Sequence, residues 1–402
     1  MRQWRMGLAT GATLLSVVFT AGSAFAAQCG GNFERWLADF KQEAASKGIS
    51  ATTISSALSG MTFDPGVVSR DRGQGVFQQS FLQFSDRMVS SYRLQQGARL
   101  IKTHEALFAR IEKQFGVPAP VLVAFWALES DFGSNNGKYS VLRALVTLSY
   151  DCRRPDFFRP QLIDALRIID RGDQKVSEMV GDWAGELGPM QFTPSDYFKY
   201  AVDFDGDGRR DLVKSVPDTL ATSANFLMNL GWKRGEPWLQ EVRVPSNMPW
   251  DQADLSIQHP RSQWVKWGVA AAHGQLPSDN LPASLILPMG RFGPAFLAYN
   301  NFKAYLGWNS ALVYSTTAAY LATRLNGAPP VGRGSGTVQV LDSRQIMELQ
   351  QHLTRNGYQI GKSDGKLGLA TRAAIKAAQI KLGLPADSYP SIELIERVRA
   401  MR

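Results

Sequence analysis

Apolar residues recur along this chain at helical spacing far more often than at strand spacing. Phe33, Trp36, Leu37, Phe40 and Ala44 fall at i, i+3, i+4, i+7 and i+11, which predicts an amphipathic helix. A second helix is expected from near Ser50. Leu94, Ala98, Ile101, Leu107 and Ile111 predict one long helix from about Arg93 to Phe115, ended by Gly116. The next run starts at Pro118, a favourable first helical residue, and carries Val121, Leu122, Phe125, Trp126 and Leu128 at mixed helical spacings. Helices also fit Pro160 to Arg171 and Asp218 to Asn229, the latter stopped by Gly231. Between Glu236 and Pro288 the pattern changes: Glu241 to Val244, Trp264 to Trp267 and Ser284 to Leu287 are short, β-prone and separated by Pro and Gly. A small strand-containing insertion in a mainly α domain is therefore expected.

Two further shifts in pattern mark the ends. Residues 326–339, opening Asn-Gly-Ala-Pro-Pro-Val-Gly, have linker composition and set off a segment of about 60 residues, 340–402. There Ile346, Leu349 and Leu353 form one helical stripe, Asp364 to Gly368 a turn, Thr371 a helix N-cap, and Ala374, Ile375, Ala378 and Leu382 a second stripe. At the other end, Arg2 and Arg5 precede a short apolar stretch that closes on Ala24-Phe25-Ala26. This has the form of a secretory signal peptide over residues 1–26, too short and too small-residue-rich at its end for a membrane span. No other segment suits a transmembrane helix. Gln28 stands before Cys29 where a lipid-attachment signal usually has a small residue, which disfavours lipoprotein anchoring. The expected location is the periplasm, reached by the Sec pathway.

At 402 residues, 44% apolar and 20% charged, the chain has material for two or more domains. Export makes the cysteine count informative. With only Cys29 and Cys152 in an oxidising compartment, one bridge tying the amino-terminal region to the main domain is the simplest outcome, and two free buried thiols the alternative. The formal charge of +9 falls by two, to +7, when Arg2 and Arg5 leave with the signal segment. That balance suits anionic partners such as wall polymers or lipid head groups. Nucleic acid is excluded as a partner class, because secretion and the lack of a basic recognition motif both argue against it. His104, His259, His273 and His352 show no metal-ligand spacing, which disfavours a zinc hydrolase.

Candidate chemistry centres on Glu129, at the far end of the almost wholly apolar run Phe125-Trp-Ala-Leu-Glu-Ser-Asp-Phe-Gly133. Desolvation raises the pKa of such a carboxyl, and the negative end of the helix dipole pushes it the same way. The group is suited to donating a proton near neutral pH; the bland alternative is a surface Glu ending a buried helix. Downstream lie Gly181-Asp-Trp-Ala-Gly-Glu-Leu-Gly-Pro-Met-Gln-Phe-Thr-Pro-Ser195, an acidic stretch Asp203 to Gly208, and Ala298-Tyr-Asn-Asn-Phe302.

With these motifs in this order, the chain resembles the membrane-bound lytic transglycosylase B family from about Phe33 to Leu325. The resemblance implies a lysozyme-like helical catalytic domain over 27–325. It also implies cleavage of the MurNAc-β-1,4-GlcNAc bond of peptidoglycan with 1,6-anhydro-MurNAc ends, Glu129 serving as single acid and base without a required cofactor. By the same resemblance Gln191 binds saccharide, Tyr299 and Asn300 hold or polarise the reacting sugar, and Phe157 and Phe226 occupy positions where the family often has Tyr. Gln350, Leu353, Gly357-Tyr358, Asp364-Gly365, Gly368, Thr371 and Gln379 resemble a three-helix peptidoglycan-binding domain.

Departures matter as well. Where relatives usually read Gly-Ser-Trp-Ala-Gly-Ala-Met-Gly, this chain has Asp182 for Ser and Glu186 for Ala. Asp182 is expected to bring a second carboxylate into the groove, and either acid as base for water gives the hydrolytic alternative, a muramidase. Glu186 is expected to be a solvated loop residue. A wall-binding scaffold without activity is the alternative from another class. Asp203, Asp205 and Asp207, with Gly208, follow EF-hand spacing at positions 1, 3, 5 and 6, but Lys214 stands at position 12. The resemblance supplies Asp218 and the Arg209 carbonyl as further ligands. A structural Ca2+ or Na+ is expected, with an empty hydrogen-bonded Asp turn as the alternative. Expected partners are peptidoglycan glycan strands and wall synthesis or division proteins, with the chain itself a monomer.

Overall fold

The apolar run after Pro118 forms helix Ala119–Ser130, with Pro118 in the capping position rather than in the first turn. Nearly every side chain from Ala119 to Leu128 is buried, so this helix is covered on all sides instead of showing one wet face. Each fully buried Val, Leu or Phe contributes roughly 1.5–3 kcal/mol. Helices Leu312–Leu325 and Ser91–Thr103 pack against it. Gly97 permits the second approach: a Cβ there would come within 2.8 Å of Leu325 and 3.1 Å of Val123.

The computed structural model describes residues 29–73 and 79–401, so the signal segment read at residues 1–26 lies outside the described residues. Among the described residues the chain is mainly helical, with one two-stranded and one five-stranded sheet, both antiparallel. No described helix is long and apolar enough to cross a membrane. The five-stranded sheet runs in the order His259–Pro260, Pro282–Ile286, Ala295–Ala298, Leu239–Arg243, Ala270–Ala271. It has its own small core around Trp264, Leu285, Leu297 and Tyr299.

Several expectations need correction. The long helix read over Arg93 to Phe115 is two, Ser91–Thr103 and Glu105–Phe115, because His104 leaves helical geometry at φ −107° and ψ 26°. Periodicity does not register a one-residue break of that kind. The helix read from Pro160 begins at Pro155, leaving Pro160 inside Pro155–Asp170. Trp264 to Trp267 is not a strand. Pro260 caps helix Arg261–Lys266, which lets the Trp264 ring nitrogen donate to the Ala283 carbonyl at 2.9 Å. Strand Ala295–Ala298 was not anticipated, since its four residues are all buried and show no alternation.

After helix Leu312–Leu325 the chain crosses 326–339 without helix or strand, yet it is strapped down. Val331 N donates to the Tyr320 hydroxyl at 3.0 Å, Gly332 N to Glu241 at 2.8 Å and Ser335 N to the Phe292 carbonyl at 2.9 Å. Helices Ser343–Arg355, Leu369–Lys381 and Ile392–Arg399 then enclose a separate core. Thr371 is not the N-cap of its helix; Gly368 is, and the Thr371 hydroxyl instead accepts from buried Gln350 at 3.0 Å. This bundle is docked on the sheet. The buried Arg372 guanidinium donates to the Leu287 and Pro288 carbonyls at 3.3 and 2.6 Å, and burial pulls its pKa down to about 10. Lys376 reaches Asp254 at 3.1 Å.

Cys29 and Cys152 are joined in a disulfide with Cα atoms 5.1 Å apart. It ties the start of the described chain to the segment between helices Val141–Tyr150 and Pro155–Asp170. The bridge closes a loop 123 residues apart in sequence. The double variant Cys29→Ser/Cys152→Ser is expected to lose about 2–4 kcal/mol of unfolding free energy. Urea titration under non-reducing conditions measures it, and an unchanged midpoint would show that the bridge contributes nothing.

Candidate active site

Glu129 occupies the last turn of the buried helix, and its carboxyl lies deep among protein atoms while the residue keeps an opening to solvent. Its Oε1 accepts from Trp308 Nε1 at 2.8 Å and from the Tyr314 hydroxyl. No described residue hydrogen-bonds Oε2, and no described cation pairs with the group. Burial is the largest influence on its proton affinity and raises the pKa above the ordinary carboxylate value; the two donors oppose it without cancelling it. A carboxyl whose proton affinity is raised in this way is suited both to give and to retake a proton.

Aromatic rings form the wall behind it. Trp308 stacks on Phe125, with ring centres 4.2 Å apart, and meets Phe192 and Phe226 at 5.5 Å. Phe125 lies one turn before Glu129 on the same helix, so a single element sets both the acid and the ring under its partner. The helix stops abruptly: Asp131, Phe132 and Gly133 all take positive φ, at 50°, 61° and 86°. Arg93 fixes Asp131 at 2.7 Å. Ser130 Oγ donates to the Pro189 carbonyl at 2.6 Å and accepts from Gly133 N at 2.8 Å, which ties the acid to the loop after Gly181.

That loop holds the other motif residues. Gln191 has φ 49°, a conformation that costs on the order of 1–3 kcal/mol for a non-glycine residue and is retained by the surrounding structure. Its amide nitrogen donates to the Gly188 carbonyl at 2.8 Å, while its amide oxygen takes no hydrogen bond from any described residue. Asp182 has one carboxylate oxygen engaged by the backbone just after it. Its Oδ1 accepts from Ala184 N and Glu186 N, both at 2.8 Å, so it braces its own turn; burial raises its pKa against those donors. The expectation of a solvated Glu186 is overturned, because burial and then the like charges of Asp182, Glu129 and Asp196 push its pKa up to about 8.

The remaining expected residues divide. Phe226 joins the aromatic wall, packed on Trp308 and Phe192. Phe157 stands half exposed near the start of helix Pro155–Asp170, its ring on Phe158. Among the described residues Tyr299 makes no hydrogen bond to Glu129. It is buried in the insertion's core, its hydroxyl donating to Gln240 at 2.6 Å. Asn300 beside it pairs with Gln258 at 3.2 Å and Glu236 at 3.4 Å. Trp308 and Tyr314, which do hold Glu129, were missed; the only trace in the sequence is an aromatic recurring through Tyr305, Trp308 and Tyr314, a spacing that reads equally as core. Tyr314 also lines a cavity of about 580 Å3 between the two domains, with Phe81, Leu341, Leu369, Arg372 and Tyr389.

In the acidic loop, oxygens of Asp203, Asp205 and Asp218 lie within 4.8 Å of one another. Asp218 is fully buried and takes Phe204 N at 2.7 Å and Asp211 N at 2.8 Å, and among the described residues no basic side chain pairs with any of the three. A carboxylate cluster of this kind, with Asp218 buried, Asp203 partly buried and Asp205 exposed, fits a hard cation. Asp207 falls outside the cluster, accepting from Arg209 N at 2.8 Å, and the Arg209 guanidinium turns away to Glu178 and the Asp173 carbonyl.

A family model described as Transglycosylase SLT domain matches residues 32–323, which include the Glu129 helix, the Gly181 loop and the Trp308–Tyr314 segment. The chain belongs to the transglycosylase SLT domain family. A second model, described as a putative peptidoglycan binding domain, matches residues 342–397 of this SLT-domain protein. Membrane-bound lytic murein transglycosylase B of Escherichia coli is 31% identical over 169 residues, 42% of this chain and 45% of that protein. The SLT-domain chain thus spans about half the length of that curated relative. SltB3 of Pseudomonas aeruginosa, solved with NAG-anhNAM-pentapeptide, superposes with a TM-score of 0.85 at 39% identity, covering 92% of this chain and 100% of that one. Escherichia coli Slt35, solved with calcium, gives 0.63 at 25% identity over 75% and 96%.

Within this SLT-domain site, Tyr314→Phe removes a donor that favours ionised Glu129, so the Glu129 pKa is expected to rise further. Carboxyl-carbon NMR titration of the variant reads this directly. A fall in that pKa would mean that the hydroxyl acts otherwise.

Proposed function

We propose that this protein is a lytic murein transglycosylase that cleaves the MurNAc-β-1,4-GlcNAc bond and leaves 1,6-anhydro-MurNAc ends. The observation that carries the reading is Glu129: a carboxyl with raised proton affinity, held at one oxygen by neutral donors and free at the other, against an aromatic wall. The Oε2 atom delivers its proton to the glycosidic oxygen. Charge developing at C1 of the muramoyl sugar is met by that sugar's own acetamido group, as in other substrate-assisted glycosidases. Glu129, now a carboxylate, accepts the proton of the C6 hydroxyl, whose oxygen closes on C1. One proton leaves and one returns, and water is not consumed.

Neutral donors suit this cycle. A cation beside Glu129 would hold it permanently ionised, whereas Tyr314 and Trp308 orient it and leave both protonation states accessible. Gln191 would bind saccharide, a reading supported by its amide oxygen, which takes no hydrogen bond from any described residue. Phe226 acts through the aromatic wall. The carboxy-terminal domain holds peptidoglycan close to the catalytic domain. Export to the periplasm is supported by the Ala24-Phe25-Ala26 signature and by the Cys29–Cys152 bridge, which an oxidising compartment sustains.

Glu129→Gln is expected to lower turnover of sacculi by at least about 100-fold while leaving sedimentation with sacculi unchanged. Mass spectrometry of wild-type digests reads the chemistry: anhydromuropeptides support a transglycosylase, reducing ends a muramidase, and no release a wall-binding scaffold.

For the acidic loop, Asp203, Asp205 and Asp218 would hold Ca2+ or Na+, which would supply structural charge and take no part in the reaction. Ca2+ at a hundredfold excess over its Kd is expected to stabilise the protein by about 2.7 kcal/mol. The check is the thermal midpoint with Ca2+ and with EDTA. Equal midpoints leave the loop as a hydrogen-bonded Asp turn.

A further inference from the structure

The cavity between the catalytic domain and the carboxy-terminal bundle has fixed walls. Arg372 fastens the junction through the Leu287 and Pro288 carbonyls, and Arg291 N donates across it to Asp387 at 3.0 Å. Gly290 lies so near Tyr389 that a Cβ there would come within 2.8 Å of it. Phe81, Phe84 and Leu312 line the cavity from the catalytic domain, and Leu341, Leu367 and Leu369 from the bundle. At about 580 Å3 it has room for a drug-sized molecule. Val340 and Leu369 line it while remaining 44% and 41% exposed, so its apolar walls are open to water.

Its charge is one-sided. Among the described residues Arg87, Lys366 and Arg372 line the cavity and no Asp or Glu does. Arg87 is occupied with Gln79 at 2.8 Å. Lys366 is exposed, and among the described residues its ammonium pairs with no acid. Arg372 is only 6% exposed; two of its nitrogens go to neutral carbonyls, and its Nε is buried with no hydrogen-bond partner among the described residues. Asp387, the acid whose charge reaches Arg372, is already taken by Gln379 at 2.8 Å and by Arg291 N. A buried donor left unpaired costs about 1–3 kcal/mol, which an anion entering the cavity would relieve. Apolar walls and cations together select a molecule with an apolar body and an anionic end.

We propose that this cavity takes the carboxylate end of a peptide stem carried by the glycan strand, with Arg372 and Lys366 holding the carboxylate and the apolar walls receiving the alanine methyl groups. The proposal rests on the reading of the protein as a murein transglycosylase. A stem that ends in alanine offers the required combination, small apolar side chains and a terminal charge. Position supports it as well. One wall belongs to the domain that matches a peptidoglycan-binding model, and the other includes Tyr314, whose hydroxyl holds Glu129. A stem that reaches Tyr314 lies one side chain away from the acid, so the strand is gripped by its peptide near the place where its sugar chain is cut. No bond is made or broken in the cavity.

Calorimetry on the full chain tests this with a synthetic pentapeptide ending in D-Ala-D-Ala, supplied as the free acid and as the carboxy-terminal amide. The acid is expected to bind, and the amide to bind at least about tenfold more weakly, because it loses the charge-assisted hydrogen bonds. Lys366→Glu, at an exposed and unpaired position, is expected to weaken binding of the acid by about tenfold or more. Leu369→Trp fills the cavity from an exposed position and is expected to abolish binding; both variants should keep the wild-type thermal midpoint. Arg372 is left in place because it fastens the bundle. Equal binding of acid and amide, no binding of either, or undiminished binding in both variants overturns the proposal. Binding of decanoate in place of the peptide also overturns it and assigns the cavity to a lipid anion. The peptide carries no sugar, so its binding is independent of turnover: sacculus digests without anhydromuropeptides would remove the reading of the reaction and leave the peptide result standing.

Discussion

One carboxyl buried without a counter-charge is the constraint around which this fold is organised. Removing Glu129 from water raises its proton affinity, and two neutral donors give back only part of the difference. A guanidinium in place of the indole would have made the group a fixed anion and ended its use as an acid. A wholly apolar pocket would have left it unoriented. The pairing with Trp308 and Tyr314 lies between these limits, and it exists because helix Leu312–Leu325 and the segment before it pack directly on the helix that carries the acid.

The surroundings serve that arrangement at increasing distance. Phe125, Trp308, Phe192 and Phe226 build a ring-lined wall against which the carboxyl is held. Positive φ at Asp131, Phe132 and Gln191 concentrates backbone strain at the two turns that meet at Ser130 and Pro189. Such strain persists only where packing and hydrogen bonds over-determine the chain, as they do here through Arg93, Ser130 and the Leu187–Phe192 ladder. Farther out, Asp218 gathers the backbone of the acidic loop onto helix Val216–Asn229, and buried Arg372 fastens the carboxy-terminal bundle to the sheet. The bundle is thereby presented at a set angle and not on a loose tether, although the composition of 326–339 reads as linker.

Misreadings of the sequence share a cause. His104 breaks a helix within an unbroken apolar stripe, and Pro160 sits inside a helix that it would be expected to begin, because tertiary packing outweighs local propensity by more than either residue costs. Trp264 to Trp267 is as β-prone as a true strand; its helix follows from the indole's need for the Ala283 carbonyl. Glu186 illustrates the reverse error, since a charged residue in a glycine-punctuated loop reads as solvated until neighbouring elements close over it.

The sequence alone determined the helical class, the strand-bearing insertion and the separate carboxy-terminal helices, and it singled out Glu129 as the candidate acid. Each of these is written in local spacing or in a short motif, and Glu129 stands out because its own helix supplies the apolar setting. Only tertiary structure decided which donors hold that carboxyl, 179 and 185 residues away along the chain. Hydrogen-bond partners and desolvation depend on what packs against a side chain from other elements, and no periodicity in the chain records that.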